Sequence, residues 1–125
     1  MKTKIECFED LIVWQKSHEL SLLIYKVTRN FPNDEKFGLI SQMRRAAVSI
    51  SANIAEGFKR RGYKDKINFY NISQSSLTEL HNYIILVKDL NYIDQNLLDI
   101  FKPYFKEIGM MLNGLISATE NNPKF

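Results

Sequence analysis

Gln42-Met43-Arg44-Arg45-Ala46-Ala47-Val48-Ser49-Ile50-Ser51-Ala52-Asn53-Ile54-Ala55-Glu56-Gly57-Phe58 is the stretch that settles the fold class. With Ile40, the residues Met43, Ala47, Ile50, Ile54 and Phe58 recur at spacings of three and four, the signature of one helix face. Nearly every side chain from Ala46 to Ala55 is small or apolar. Val48, Ala52 and Ala55 fall opposite the main apolar face, where a surface helix carries long polar groups. A helix of this kind is buried on more than one side, which a single bundle does not achieve and a neighbouring subunit does. Between the faces runs a polar stripe, Gln42, Arg45, Ser49, Asn53, Glu56 and Arg60. It reads as a hydrogen-bond network between helices or subunits, with Glu56 satisfying an arginine, as a groove for a ligand or phosphate, or as a solvated stripe of no consequence.

The flanking sequence supplies three further helices. The first runs from about Asp10 to Asn30, with Leu11, Trp14, His18, Leu22 and Tyr25 as one stripe and Leu20, Ile24 and Val27 beside it. Asp10 is its expected N-cap, and Pro32 ends it. The second runs from about Asp34 to Arg60, with Asp34 and Glu35 at its positive end and Gly62 free for a left-handed cap. The third, about Tyr63 to Leu90, buries Tyr70, Ser73, Leu77, Leu80, Ile84 and Val87. The fourth, about Asp94 to Thr119, carries a heptad-like seam of Leu97, Phe101, Tyr104, Ile108, Met111, Leu115 and Ala118. Pro103 is expected to kink or divide it, and Asn121 to Phe125 reads as a frayed tail. Helices at about 10–30, 34–60, 63–90 and 94–119 joined by short turns predict an all-α, antiparallel up-down-up-down four-helix bundle. It forms a single domain over residues 1–125.

Composition agrees. The chain has 125 residues, 45% of them hydrophobic and 25% charged, with only three prolines and five glycines. That length buries about two thirds of the unfolded surface, and the low turn density argues against a sandwich or barrel. No apolar run of signal-peptide or bilayer-spanning length is present, so a cytoplasmic location and no membrane partner are the expectation. Cys7 is the only cysteine, which excludes an internal disulfide or a thiolate zinc site within one chain. His18 and His81 lack a second ligand at metal spacing, and no phosphate-binding glycine motif occurs. We expect no metal, no cofactor, no catalytic residues and no enzyme activity. An enzyme survives only if subunits bring His18, His81 or Glu56 together.

Charge is unevenly spread. The net charge is +3, but residues 41–66 hold seven cations (Arg44, Arg45, Lys59, Arg60, Arg61, Lys64, Lys66) against Glu56 and Asp65. Phe58, Tyr63, Phe69 and Tyr70 interleave with the later cations. Cations pair with phosphates while exposed aromatics stack bases, the means by which single strands are held.

Several strings resemble the four-helix-bundle family encoded by intervening sequences in bacterial 23S ribosomal RNA genes. Phe8-Glu9-Asp10-Leu11-Ile12-Val13-Trp14-Gln15-Lys16 is similar to its opening. Phe31-Pro32-Asn33-Asp34-Glu35-Lys36-Phe37-Gly38-Leu39 resembles its "FPxxExFGL" turn. Residues 42–50 and 53–58 resemble its "QxRRAAVSI…NIAEGF" centre, and Ser76-Leu77-Thr78-Glu79-Leu80 its "SLxEL". Departures are Ser51-Ala52 in place of Pro-Ser, Ser73-Gln74-Ser75-Ser76 in place of Ala-x-Gly-Ser, and Pro103. The resemblance implies an antiparallel bundle that assembles into a homopentamer, without catalytic residues. It is also similar to the bundle accessory protein of diversity-generating retroelements, a basic pentamer with affinity for nucleic acid. The family motif falls on Gln42, Arg44, Arg45, Asn53 and Glu56.

Together these readings predict a non-catalytic oligomer that binds RNA or other nucleic acid through Arg44, Arg45, Lys59, Arg60, Arg61, Lys64 and Lys66. Its subunits would meet through Gln42, Val48, Ser49, Ala52, Asn53, Ala55 and Glu56. The alternative is a protein–protein scaffold with no nucleic-acid role.

Overall fold

Helix α1 spans Ile12–Thr28, α2 Ser41–Lys59, α3 Tyr63–Asp89 and α4 Gln95–Asn121 in a computed structural model that describes residues 4–122. Of the expected frayed tail, residues 123–125 lie outside the described residues, and α4 continues to Asn121.

Each helix packs against its neighbours in the chain, and α1 closes the ring against α4. Paired residue numbers run in opposite senses between α2 and α3 and between α3 and α4, so these neighbours are antiparallel. Ser49 meets Ser76 at 2.8 Å, while the Ser73 hydroxyl donates to the Ile50 carbonyl at 2.8 Å. Gln74 donates to Asn113 at 2.6 Å, and further along α3 the His81 ring stacks on Phe105 at 4.5 Å. Lys16 reaches Glu107 across α1 and α4 at 3.7 Å. Leu20, Ile24, Ile50, Ile54, Leu80, Ile84, Phe101, Ile108 and Leu112 are fully enclosed between the helices.

The buried face of α1 is not the stripe that looks most apolar. Val13, Ser17, Leu20, Ser21, Ile24, Val27 and Thr28 point inward, whereas His18, Leu22 and Tyr25 are exposed and Trp14 is half-buried. Ser17 and Thr28 bond their hydroxyls back to the Val13 and Ile24 carbonyls, each at 2.7 Å. A hydroxyl satisfied by its own helix behaves as a small side chain and lets a neighbour approach closely. Pattern reading counts it as polar.

The termini correct other expectations. Asp10 does not cap α1; its carboxylate accepts the Glu6 and Cys7 amides at 3.0 and 3.3 Å, closing the short 3₁₀ turn Phe8–Asp10. Residues 34–40 are not regular α-helix. Asn33–Glu35 forms a 3₁₀ turn and Lys36–Ile40 a wide π-type turn, with Gly38 at φ −107°, ψ −107°. Tyr92 holds this turn by donating its hydroxyl to Glu35 at 2.9 Å. Gly62 is extended, φ −87°, so α2 does not end on a left-handed glycine. Lys66 ends it instead, donating Nζ to the Phe58 and Gly57 carbonyls at 2.7 and 3.4 Å. An ammonium suits the orphan carbonyls and negative pole of a helix C-terminus.

The left-handed residue is Asn91, φ 63°, after which the Tyr92 amide returns to the Val87 carbonyl at 2.9 Å. Asp94 then caps α4 by accepting the Leu97 amide at 2.9 Å. Pro103 neither divides nor ends α4, which runs through it as one helix. It lies on the exposed side of the helix. Among the described residues, no helix is long and apolar enough to cross a membrane.

Candidate nucleic-acid interface

The seven cations of the basic segment do not form one patch. Arg44 and Arg45 stand in the first turns of α2, while Lys59 closes its last turn. At about 1.5 Å rise per residue, roughly 20 Å of helix separates them.

At the far end, Lys66 leaves the candidate set. It is 6% exposed, bonded to the end of α2, with its ammonium 5.4 Å from the Phe58 ring. Burial pushes its pKa below the ordinary lysine value. No phosphate reaches it without displacing the cap. Lys59, Arg60, Arg61 and Lys64 are exposed around the α2–α3 turn. Arg60 pairs with Glu56 at 3.3 Å and lies over the Phe69 ring at 4.6 Å. Tyr63 is partly exposed beside them, and Tyr70 is core.

The near end is more enclosed. Arg44 donates Nε to the Thr28 hydroxyl at 2.9 Å and Nη2 to the Tyr25 carbonyl at 3.4 Å, and its guanidinium sits 4.5 Å from the Tyr25 ring centre. Its charge is thus fixed at the C-terminal end of α1, which favours a cation. Arg45 is exposed and donates to Gln42 at 2.6 Å. With Tyr25, Lys36, Phe37 and Val48 they line an open cleft of about 520 Å³. Three cations and no carboxylate line it. Lys36 and Phe37 were not candidates from sequence. The signal was an aromatic between a lysine and a glycine in Lys36-Phe37-Gly38, within a segment that reads as ordinary helix start.

The polar stripe is spent largely inside the chain. Asn53 donates to the Ser49 carbonyl and hydroxyl at 2.8 and 3.0 Å, and Ser49 reaches Ser76 on α3. The arginine that Glu56 satisfies is Arg60, one turn along the same helix. Of the expected subunit contacts, Gln42, Ser49 and Asn53 are half-buried, and Ser49 reaches α3 through Ser76. Val48 and Ala52 are exposed, and Ala55 is half-buried. Phe8 borders Ala52, Ala55, Glu56 and Lys59, so the amino-terminal turn shelters part of this back face.

His18 stacks on Trp14 at 4.9 Å and His81 on Phe105, on different helices. Burial and the Asp10 carboxylate push the Cys7 thiol up, away from thiolate reactivity. Among the described residues, no group of three or more histidine, cysteine or acidic side chains is placed to hold a metal ion.

A model of the 23S rRNA-intervening sequence protein family matches residues 9–114. Among solved structures, the chain is similar to a protein of unknown function from the S23 ribosomal protein family of Bacteroides thetaiotaomicron. The TM-score is 0.77 at 27% identity, over 84% of this chain and 98% of that one. No curated protein matches.

Proposed function

The chain belongs to the 23S rRNA-intervening sequence protein family, and on that premise we propose that it is a non-catalytic, self-assembling bundle that holds nucleic acid without base specificity. The family name assigns no chemistry, so the reading rests on charge and exposure. The observation that carries it is the pairing of cations with accessible aromatic rings at both ends of α2. Arg44, Arg45 and Lys36 stand with Tyr25 and Phe37 at one end, and Arg60, Arg61 and Lys64 with Phe69 and Tyr63 at the other. Cations answer the phosphates of any sequence, and rings accept any base. Self-assembly is supported by Val48 and Ala52, apolar residues exposed in the middle of α2's outer face. Copies joined there would multiply a weak site through avidity.

Fluorescence anisotropy with labelled single-stranded RNA, single-stranded DNA and duplex DNA tests the binding. Affinity is expected to fall steeply as salt rises, because each neutralised phosphate releases counterions. No binding at low salt overturns it. A scaffold without a nucleic-acid role is the second reading, favoured by the same Val48–Ala52 face and the modest net charge of +3. Partners captured equally well after nuclease treatment would support it.

A further inference from the structure

We propose that the cleft between the end of α1 and the start of α2 is a single-strand site, in which an unpaired base stacks on Phe37 while Lys36 and Arg45 hold the flanking phosphates. The inference rests on the nucleic-acid reading above and deepens it.

Phe37 is 89% exposed, the highest value among the large hydrophobic side chains described. Its exposure is built. The π-type turn takes the chain out of α geometry at Gly38, and the Tyr92–Glu35 hydrogen bond ties that turn to the α3–α4 connection. Lys36 stands over the ring at 5.6 Å, leaving room on it for a base. Tyr25, 38% exposed with Arg44 fixed over it, offers a second ring across the cleft.

Arg45 spends a donor on Gln42 and keeps the rest of its planar fork, whose geometry matches phosphate oxygens. The Arg44 charge cannot swing away, because Thr28 and Tyr25 hold it. Asp34 is the nearest carboxylate in sequence left to solvent, and it does not line the cleft; Glu35 is engaged by Tyr92. A volume of about 520 Å³ is of the size that accommodates a nucleotide unit. Duplexes hide the base faces this site would use.

The test compares Phe37→Ala, Arg45→Glu and the distant pair Arg61→Glu/Lys64→Glu in anisotropy titrations. The probes are a single-stranded RNA, an abasic strand of equal length and a duplex. Phe37→Ala is expected to weaken the RNA roughly five- to hundred-fold and leave the abasic strand unchanged. Arg45→Glu is expected to weaken both strands and to lower the log–log salt slope by about 1. Equal RNA affinity in Phe37→Ala, or loss confined to the Arg61/Lys64 pair, overturns the site. A drop in particle mass for Phe37→Ala with affinity unchanged overturns it in favour of a second copy occupying the cleft. If the unmutated protein binds no strand, the nucleic-acid reading itself has failed, whereas a failure of Phe37→Ala alone leaves that reading in place.

Discussion

A methyl group added at Gly57 would arrive 2.6 and 2.9 Å from Cε1 and Cδ1 of Tyr70, and 3.1 Å from the Lys66 carbonyl oxygen. Tyr70 is 1% exposed, so its ring has nowhere to go. Gly57→Ala is expected to cost about 1–3 kcal/mol in urea unfolding. Gly62→Ala meets nothing within 4 Å at an ordinary φ, and should cost at most about 1 kcal/mol, the loss of a favourable N-cap residue of α3. The same enclosure pushes the Tyr70 phenol up to about 12. A raised folded-state pKa contributes stability that is present below the unfolded value of about 10 and lost as pH rises through 12. The amount is of order 2–3 kcal/mol. Tyr70→Phe should therefore flatten the fall in stability across that window, read from urea midpoints at stepped pH. Lys66 acts with the opposite sign: its pKa is lowered, so stability rises as pH climbs toward its ordinary value of 10.5. Residue identity announced a cation and a tyrosine at these positions. Periodicity already turned Tyr70 inward; the burial of Lys66 was not announced, and it goes with the close approach of α3 to α2 at Gly57.

Helix α4 contains a proline and remains one helix, because Pro103 faces solvent and its cost falls on the missing hydrogen bond to the carbonyl one turn earlier. Pro103→Ala restores that bond, and we expect it to raise unfolding stability by about 1–3 kcal/mol, measured as a later urea midpoint. An unchanged or earlier midpoint would show that the proline does something for packing. The buried faces of α2, α3 and α4 were legible, since large aliphatic residues recur there at helical spacing. The buried face of α1 was legible only in part, through Leu20, Ile24 and Val27. Two serines and a threonine lie on it, and the more obvious stripe, His18, Leu22 and Tyr25, looks outward. The start of α2 was missed for a related reason: acidic residues after a proline are the usual mark of a helix N-terminus. Here they belong to a separate 3₁₀ turn that the π-type turn joins to α2.

Over the whole molecule, α2 is covered by α1 and α3 at its sides and by Phe8 at part of its back, leaving Val48 and Ala52 open. If copies meet there, Ala52→Glu/Ala55→Glu should yield smaller particles in light scattering, with helical content by circular dichroism retained. The same mass as the unmutated protein would place any subunit contact elsewhere. The helical class, the four segments and the inward faces of three of them could be read in the chain, because periodicity of large apolar residues survives without knowing the neighbours. The basic run from Arg44 to Lys66 could be counted but not placed. A cation is written with the same letter whether water, a ring or a carbonyl surrounds it. Folding put Lys66 under the end of α2 and Arg44 over Tyr25, and left Lys59, Arg61 and Lys64 in solvent about 20 Å from Arg45. It also brought Tyr25 and Phe37, from two different elements, to the rim of one cleft, since a site made by two elements exists only once those elements are packed together.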